Sequence, residues 1–123
     1  MRWAFAGAIA MGLMVAFGAF GAHGLERHVS EEAMSWWETA AQYHAWHGLG
    51  LFAVGWVGQW SAHPRRVFVA GAGLCIGLVL FSGSLYLMAL TRHRWLGAIT
   101  PLGGTAWIVA WIFLARAARK GPQ

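Results

Sequence analysis

Four long apolar runs, each bounded by a short polar stretch, set the pattern of the chain. Their approximate bounds are residues 3–22, 43–61, 67–90 and 95–115. A helix needs about 20 apolar residues to cross the hydrocarbon core of a bilayer, and each run is about that long. We therefore expect an all-α protein, a four-helix transmembrane bundle that forms one integral membrane domain over residues 1–123. The first run follows Arg2 and ends in small residues, as a secretory signal does, but we expect it to remain as a helix.

The composition agrees with an integral membrane protein. Of the 123 residues, 59% are hydrophobic and only 11% are charged, whereas about a quarter of the residues of a soluble domain are charged. So little charge excludes a disordered chain and a nucleic-acid binder. The single cysteine, Cys75, cannot form a disulfide within the chain.

The polar stretch after the first run is predicted to contain a helix of its own. Ser30 is a good N-cap, and Glu31 and Glu32 follow where the helix dipole favours anions. We expect an amphipathic interfacial helix over about residues 31–42 that leads into the second span. Tryptophan rings prefer the membrane–water boundary. Five tryptophans lie near the predicted boundaries of the spans: Trp3, Trp36, Trp37, Trp60 and Trp95.

The distribution of basic residues predicts the orientation of the chain. One side carries six of them: Arg2, Arg65, Arg66, Arg116, Arg119 and Lys120. The other side carries three, which are Arg27, Arg92 and Arg94. The positive-inside rule then places both termini in the cytoplasm. All four acidic residues lie in the first loop, on the opposite side.

Small residues at helical spacing are candidates for helix packing, because close backbone approach replaces the hydrophobic effect within lipid. The stripes are Ala8, Gly12 and Ala16 in the first run, Gly73 and Gly77 in the third, and Gly103 and Gly104 in the fourth. Packing within one chain is the simpler interpretation, and contact between copies is the alternative.

Thr100 and Pro101 interrupt the fourth run. A helix that starts there and ends at Ala115 would be only about 22 Å long, which is short for a span. We therefore expect helical structure to begin near Trp95, with a kink or broken turn at residues 99–101.

Histidines within or next to the spans are the strongest functional candidates. His44 and His47 lie about 60° apart on one helix face, with Tyr43 one turn before His47. Together with His23 they could form a metal or haem site, but Glu38 points about 120° away from His44 and supplies no ligand from the same face. Hydrogen bonds to neighbouring helices, or contact with a lipid or quinone, are the alternatives.

Ser82, Ser84 and Tyr86 form a polar patch in the third run. Serines within a span commonly bond to a carbonyl of their own helix or to a neighbouring helix. The alternative is a small polar pocket near the outer leaflet in which Ser84 and Tyr86 converge with His44 and His47. No nucleophile–base set, phosphate-binding loop or carboxylate pair is present.

Four short motifs, in order along the chain, resemble one family of small bacterial inner-membrane proteins. They are Gly-Ala-Phe-Gly-Ala-His (18–23), Trp-Glu-Thr-Ala (37–40) with Tyr43, His44 and His47, Phe-Ser-Gly-Ser-Leu-Tyr (81–86), and Arg-Trp-Leu-Gly-Ala-Ile-Thr-Pro-Leu-Gly-Gly (94–104). The family is the YgdD/YwdK-like family of unknown function, and a small mitochondrial transmembrane protein is similar. The resemblance implies four spans and an inner-membrane location, and it leaves the reaction, the substrate and the cofactor unknown. It makes the motif positions candidate binding residues: His23, Trp37, Glu38, Tyr43, His44, His47, Ser82, Ser84, Tyr86, Thr100 and Pro101.

The leading functional hypothesis is a non-enzymatic accessory or assembly subunit that binds a lipid, a quinone or a larger membrane complex. The first alternative is a small redox or metal-handling enzyme that uses His23, His44 and His47. The second is an oligomeric channel or carrier for a small neutral solute, assembled along Gly73 and Gly77.

Overall fold

The computed structural model describes residues 1–119, which are all-helical with no strand among them. Four helical segments follow one another. Their elements are α1 (Arg2–Phe20) with a first π turn (Gly21–Leu25), α2 (Glu31–Val57), α3 (Pro64–Gly77) joined through a second π turn (Leu78–Ser82) to α4 (Gly83–Thr91), and a 3₁₀ helix (Arg94–Ala98) followed by α5 (Thr100–Ala118). The all-α prediction is confirmed for these residues. Lys120, counted above among the basic residues, lies outside them.

Three of the four segments are long and apolar enough to cross a membrane: Arg2–Leu25, Pro64–Thr91 and Arg94–Ala118. The exception is α2, whose apolar character is lowered by polar residues such as Gln42, His44 and His47. It is also the most central helix, since it contacts every other α-helix of the described chain. The neighbouring helices bury His44 and His47, whereas Gln42 is exposed.

The predicted helix bounds need three adjustments. Residues 31–42 are the first turns of α2 and continue without a break, and Ser30 caps them by accepting a hydrogen bond from the Ala33 backbone N–H at 3.1 Å. At its other end, α2 stops at Val57 rather than at residue 61. The third segment begins at Pro64 because proline is favoured in the first helical turn, where its missing N–H costs nothing. The broken turn before Pro101 is confirmed, since α-helical structure resumes only at Thr100.

Glycines lie at the contact between the third segment and α5, among them Gly73, Gly77 and Gly103. A Cβ added at Gly73 would lie 2.8 Å from the Ala110 Cβ, and one at Gly103 would lie 2.8 Å from the Phe81 Cβ. Gly77 lies directly against the indole of Trp107. Since α5 covers Gly73 and Gly77, these residues are not available for contact between copies, and the channel hypothesis loses its proposed interface. Gly104 makes only ordinary contact with the Phe81 ring, at 3.8 Å.

The packing predicted for the first segment is wrong. Ala8, Gly12 and Ala16 are all exposed, and nothing lies within 4 Å of a Cβ built on Gly12. The buried residues of α1 are Gly7 and Ala10, which face α2. Four-residue spacing identifies a stripe of small residues, but the position of the neighbouring helix decides which stripe is used.

Charged residues separate to the two ends of the bundle. At one end, the starts of α1 and α3 lie together with the end of α5. The Arg66 Nη1 there donates to the Arg116 carbonyl at 3.2 Å. The opposite end carries the acidic residues, and there Arg94 and Glu32 form an exposed salt bridge of 2.8 Å.

Candidate functional site

A buried tryptophan fixes the position of the first π turn. Trp37 of α2 is only 4% exposed, and its Nε1 donates to the Phe17 carbonyl at 2.9 Å. Its indole rests on Gly21, where a Cβ would lie 2.5 Å from the Nε1 atom. An indole N–H in an apolar interior needs an acceptor, and this carbonyl provides it. Although predicted as a boundary anchor, Trp37 is therefore a core residue.

His44 and Tyr86 form a buried polar pair beside this tryptophan. The His44 Nδ1 and the Tyr86 hydroxyl are 2.9 Å apart, and both side chains are at most 7% exposed. The Tyr86 ring lies 4.5 Å from the Trp37 ring and 5.1 Å from the Phe17 ring, measured between centroids. Aromatic rings thus hold the pair in place on three elements of the bundle.

The pair can act as a donor or as an acceptor toward a third group. A neutral imidazole carries one N–H. If His44 donates to Tyr86, the Tyr86 O–H is left for an acceptor outside the pair. If Tyr86 donates to His44, the lone pairs of the Tyr86 oxygen remain able to accept a hydrogen bond.

An apolar cleft of about 410 Å³ runs beside this pair, between α1, α2 and the third segment. Its α1 wall extends from Phe5 to Phe17, which corresponds to about 18 Å of helix. His44 and Tyr86 are the polar members of the lining. His44 lies at the midpoint of α2 (Glu31–Val57), and Tyr86 lies five residues before the third segment ends at Thr91.

His47 has a different environment from that of His44. Its Nδ1 lies 2.7 Å from the Tyr43 carbonyl, one turn earlier on the same helix, and therefore carries the proton of that hydrogen bond. Its ring stacks on Trp107 at 3.6 Å between centroids and 6° between planes. The Trp107 Nε1 in turn donates to the Leu74 carbonyl at 3.1 Å. His47 is thus enclosed by its own helix and by α5.

The serines of the third segment connect helices, which confirms the simpler of the two predictions. The Ser82 Oγ, in the second π turn, donates to the Ala40 carbonyl of α2 at 2.8 Å. The Ser84 Oγ lies 2.6 Å from the Thr100 Oγ1 and also donates to the Phe81 carbonyl at 2.9 Å. Of the four groups expected to converge in a pocket, His44 and Tyr86 bond to each other, whereas Ser84 bonds to Thr100 and His47 to the Tyr43 carbonyl.

Three predicted site residues lie apart from the buried groups. His23 is exposed in the first π turn, Glu38 is exposed on α2, and Pro101 is exposed at the start of α5. No group of three or more His, Cys, Asp or Glu side chains within residues 1–119 is arranged to hold a metal ion. The alternative that joined His23 to His44 and His47 therefore lacks a common site.

Comparison with known proteins identifies the family. The family described as protein of unknown function DUF423 matches residues 17–104, which include the His44–Tyr86 pair. This chain belongs to that family. It is 47% identical to the UPF0382 membrane protein YwdK of Bacillus subtilis over 114 residues, covering 93% of each chain. A UPF0382 membrane protein of Staphylococcus epidermidis is 47% identical over 93% of this chain and 92% of its own length. One of Staphylococcus saprophyticus is 49% identical over 88% of each chain. No solved structure matches.

The resemblance predicted from the four motifs is thus confirmed, and this DUF423 protein is a membrane protein of a family whose function is unknown. Sequence reasoning missed the role of Trp107 and the two π turns. One signal for Trp107 was present: it lies in the middle of an apolar run, where an indole N–H must find an acceptor inside the protein. The π turns have no comparable signal, because they depend on contacts with α2 and α5.

Proposed function

We propose that this DUF423 protein is a non-enzymatic accessory protein of the inner membrane that binds one lipid-like molecule in the cleft beside the His44–Tyr86 pair. Prenyl quinones are the ligand class that we favour. The observation that carries the proposal is a long apolar cleft with one hydrogen-bonding pair at one end. A molecule with an uncharged polar head and an apolar tail matches this cleft, because its head can meet the polar pair and its tail can lie along the apolar walls.

The size and lining of the cleft support a small hydrophobic ligand. Ligand sites are commonly about 300–1,000 Å³ and mostly apolar, with a few polar groups that fix orientation. The cleft has a volume of about 410 Å³. Phe5, Ile9 and Leu13 line it and are also exposed on α1, which leaves a lateral entrance from the membrane.

The burial of the polar pair favours a quinone over the head group of a phospholipid. A charged head group enclosed by this apolar lining would lose its hydration at high cost. A quinone carbonyl is uncharged and accepts a hydrogen bond, whereas the reduced quinol also donates one. The two arrangements of the His44–Tyr86 pair suit both forms.

Binding can be tested with ubiquinone carrying a ten-carbon tail, added to the purified protein in nanodiscs of phosphatidylcholine. The readout is quenching of tryptophan fluorescence, since Trp37 lies 4.5 Å from Tyr86. We expect saturable quenching in the wild type and an affinity about tenfold lower in Tyr86→Phe, which loses one hydrogen bond to the ligand. Absence of saturable quenching would overturn the quinone proposal.

Two glycine variants locate the site. Gly83 lines the cleft, and a Cβ on it would have no neighbour closer than 3.7 Å, so Gly83→Leu should fill the cleft without displacing the backbone. We expect it to abolish quenching. Gly12→Leu on the outward face of α1 is the matched control and should leave binding unchanged. Phosphatidylcholine with brominated acyl chains is the second probe. If it quenches the wild type but not Gly83→Leu, and the quinone does not quench the wild type, the ligand is an acyl chain.

The orientation in the membrane is part of the same proposal. All four segments cross the membrane, both termini are cytoplasmic, and residues 31–42 reach the outer boundary as the first turns of α2. The separation of acidic and basic ends supports this orientation. In a Cys75→Ser chain, Ser35→Cys should react with an impermeant maleimide on intact cells, and Gln59→Cys only after permeabilisation. The reverse result would invert the orientation.

A further inference from the structure

The basic end of the bundle has positive charge that no side chain of the protein neutralises. Arg65, Arg66 and Arg116 meet there, where α3 begins and α5 ends. The four carboxylate side chains of the sequence all lie between residues 26 and 38, at the opposite end. Within residues 1–119 the one salt bridge, between Arg94 and Glu32, is also at that opposite end. None of these carboxylate side chains therefore neutralises the basic end.

A depression of about 590 Å³ lies at this end, between the start of α3 and the side of α5. Its polar side, called the rim below, is formed by His63, Arg65 and Arg66, and its apolar wall includes Val69 and Phe113. A polar rim next to an apolar wall suits a molecule whose anionic group is attached to a hydrocarbon chain. Free phosphate would use the rim alone.

Hydrogen bonds within the protein hold the rim in shape. The Ser61 Oγ donates to the Ala117 carbonyl at 2.7 Å and accepts from the His63 backbone N–H at 3.1 Å. The Arg66 Nη1 donates to the Arg116 carbonyl at 3.2 Å. A guanidinium has five N–H donors, so Arg66 retains others after this bond. The loop before α3 and the end of α5 thus fix the rim before any ligand arrives.

We propose that this depression binds one acidic phospholipid, with the phosphate held by Arg65 and Arg66 and an acyl chain lying along Val69 and Phe113. Planar guanidinium groups bind phosphate oxygens in pairs, which favours arginine at such a site. Basic pockets between membrane helices are known to bind anionic head groups. This site is separate from the cleft beside His44 and Tyr86 and does not depend on its ligand.

The test is native mass spectrometry of the full chain in detergent with phosphatidylglycerol or phosphatidylcholine. We expect one phosphatidylglycerol to be retained in preference to phosphatidylcholine. The double variant Arg65→Gln/Arg66→Gln should lower its affinity by at least about tenfold. Because Arg66 also bonds to α5, Arg65→Gln alone is included, and it should lower the affinity several-fold without changing the melting temperature.

The matched control is Arg27→Gln/Arg92→Gln, which removes the same charge from the opposite end and should leave retention unchanged. An equal loss in this control would show general charge attraction and overturn the proposal. Inorganic phosphate at millimolar concentration should not compete with the lipid. If it does, or if Val69→Asn has no effect on retention, the site binds phosphate without the lipid chain and the proposal fails.

Discussion

Two buried tryptophans use the same packing arrangement in the two halves of the bundle. The Trp37 Nε1 donates to the carbonyl of Phe17, four residues before the first π turn begins at Gly21. The Trp107 Nε1 donates to the carbonyl of Leu74, four residues before the second π turn begins at Leu78. Each indole also rests on a glycine, Gly21 or Gly77. The core divides accordingly into one hydrophobic cluster around each tryptophan.

The two regions differ in what their histidine does. Near Trp37, His44 bonds to the Tyr86 side chain and lines the apolar cleft. At Trp107, His47 bonds to a carbonyl of its own helix and is covered by the indole. The same tryptophan arrangement thus lies beside a histidine that lines the cleft in one half and beside a histidine that the indole covers in the other. Single-turn π insertions are often found at functional sites. Here the second π turn lines the cleft through Leu78 and Val79.

The largest expected effect is at the glycines beneath the indoles. Gly77→Ala places a methyl group inside the Trp107 indole in the middle of the third segment, and we expect a loss of about 2–3 kcal/mol in the free energy of unfolding. A Cβ at Gly21 would lie 2.5 Å from the Trp37 Nε1, less close than the contact at Gly77, and Gly21 is at the end of the first segment, so Gly21→Ala should cost about 1 kcal/mol. The outward control Gly12→Ala should be neutral or slightly stabilising. Thermal unfolding in detergent, followed by circular dichroism, measures all three, and equal losses at Gly12 and Gly77 would contradict the packing.

The functional difference between the histidines can be tested directly. His44→Phe keeps an aromatic ring but removes the partner of Tyr86, and we expect about tenfold weaker binding of the quinone probe. His47→Phe retains a ring against Trp107 and should change that affinity less than about twofold. Tryptophan quenching titrations compare the two variants. Equal losses of affinity would show that His47 contributes to quinone binding as much as His44 does.

Removing the indole N–H tests whether the two tryptophans are equivalent. We expect Trp37→Phe and Trp107→Phe each to lose about 1 kcal/mol for the missing hydrogen bond. Trp107→Phe should lose somewhat more, because the smaller ring also covers less of His47. Melting temperatures in one detergent give the comparison. A change in Trp37→Phe no larger than that of an exposed variant such as Trp95→Phe would argue against a stabilising bond to Phe17.

The smallest effect is expected at the Arg94–Glu32 salt bridge, which lies beyond the Trp37 region and has no counterpart at the other end within residues 1–119. Its side chains are 70% and 52% exposed, and exposed pairs contribute at most about 1 kcal/mol. Glu32→Gln should therefore shift the melting temperature only slightly, and the shift should disappear at high salt. A large fall in melting temperature that persists at high salt would mean that the salt bridge orders the Trp37 region.

Several features followed from local chemistry and could be predicted. Ser30 caps α2 because its side chain accepts a bond from a nearby N–H, and Thr100-Pro101 restarts a helix because proline fits a first turn. Gly73, Gly77 and Gly103 serve packing as expected. The sequence could not show whether the stripe of Ala8, Gly12 and Ala16 faces another helix or the lipid. Lipid and protein are equally apolar neighbours for a helix, so hydrophobicity does not distinguish the two.

The sequence by itself determined the helical class, the Ser30 cap of α2 and the family, because these depend on apolar run length, a capping residue and local motifs. It also singled out His44, His47 and Tyr86 as polar groups that an apolar interior must satisfy. Only the tertiary structure decided that His44 faces Tyr86 and the cleft while His47 faces Trp107. The two histidines lie one turn apart on the same helix, so their roles depend on which neighbouring segment each one meets, and that is fixed by contacts between residues distant in the chain.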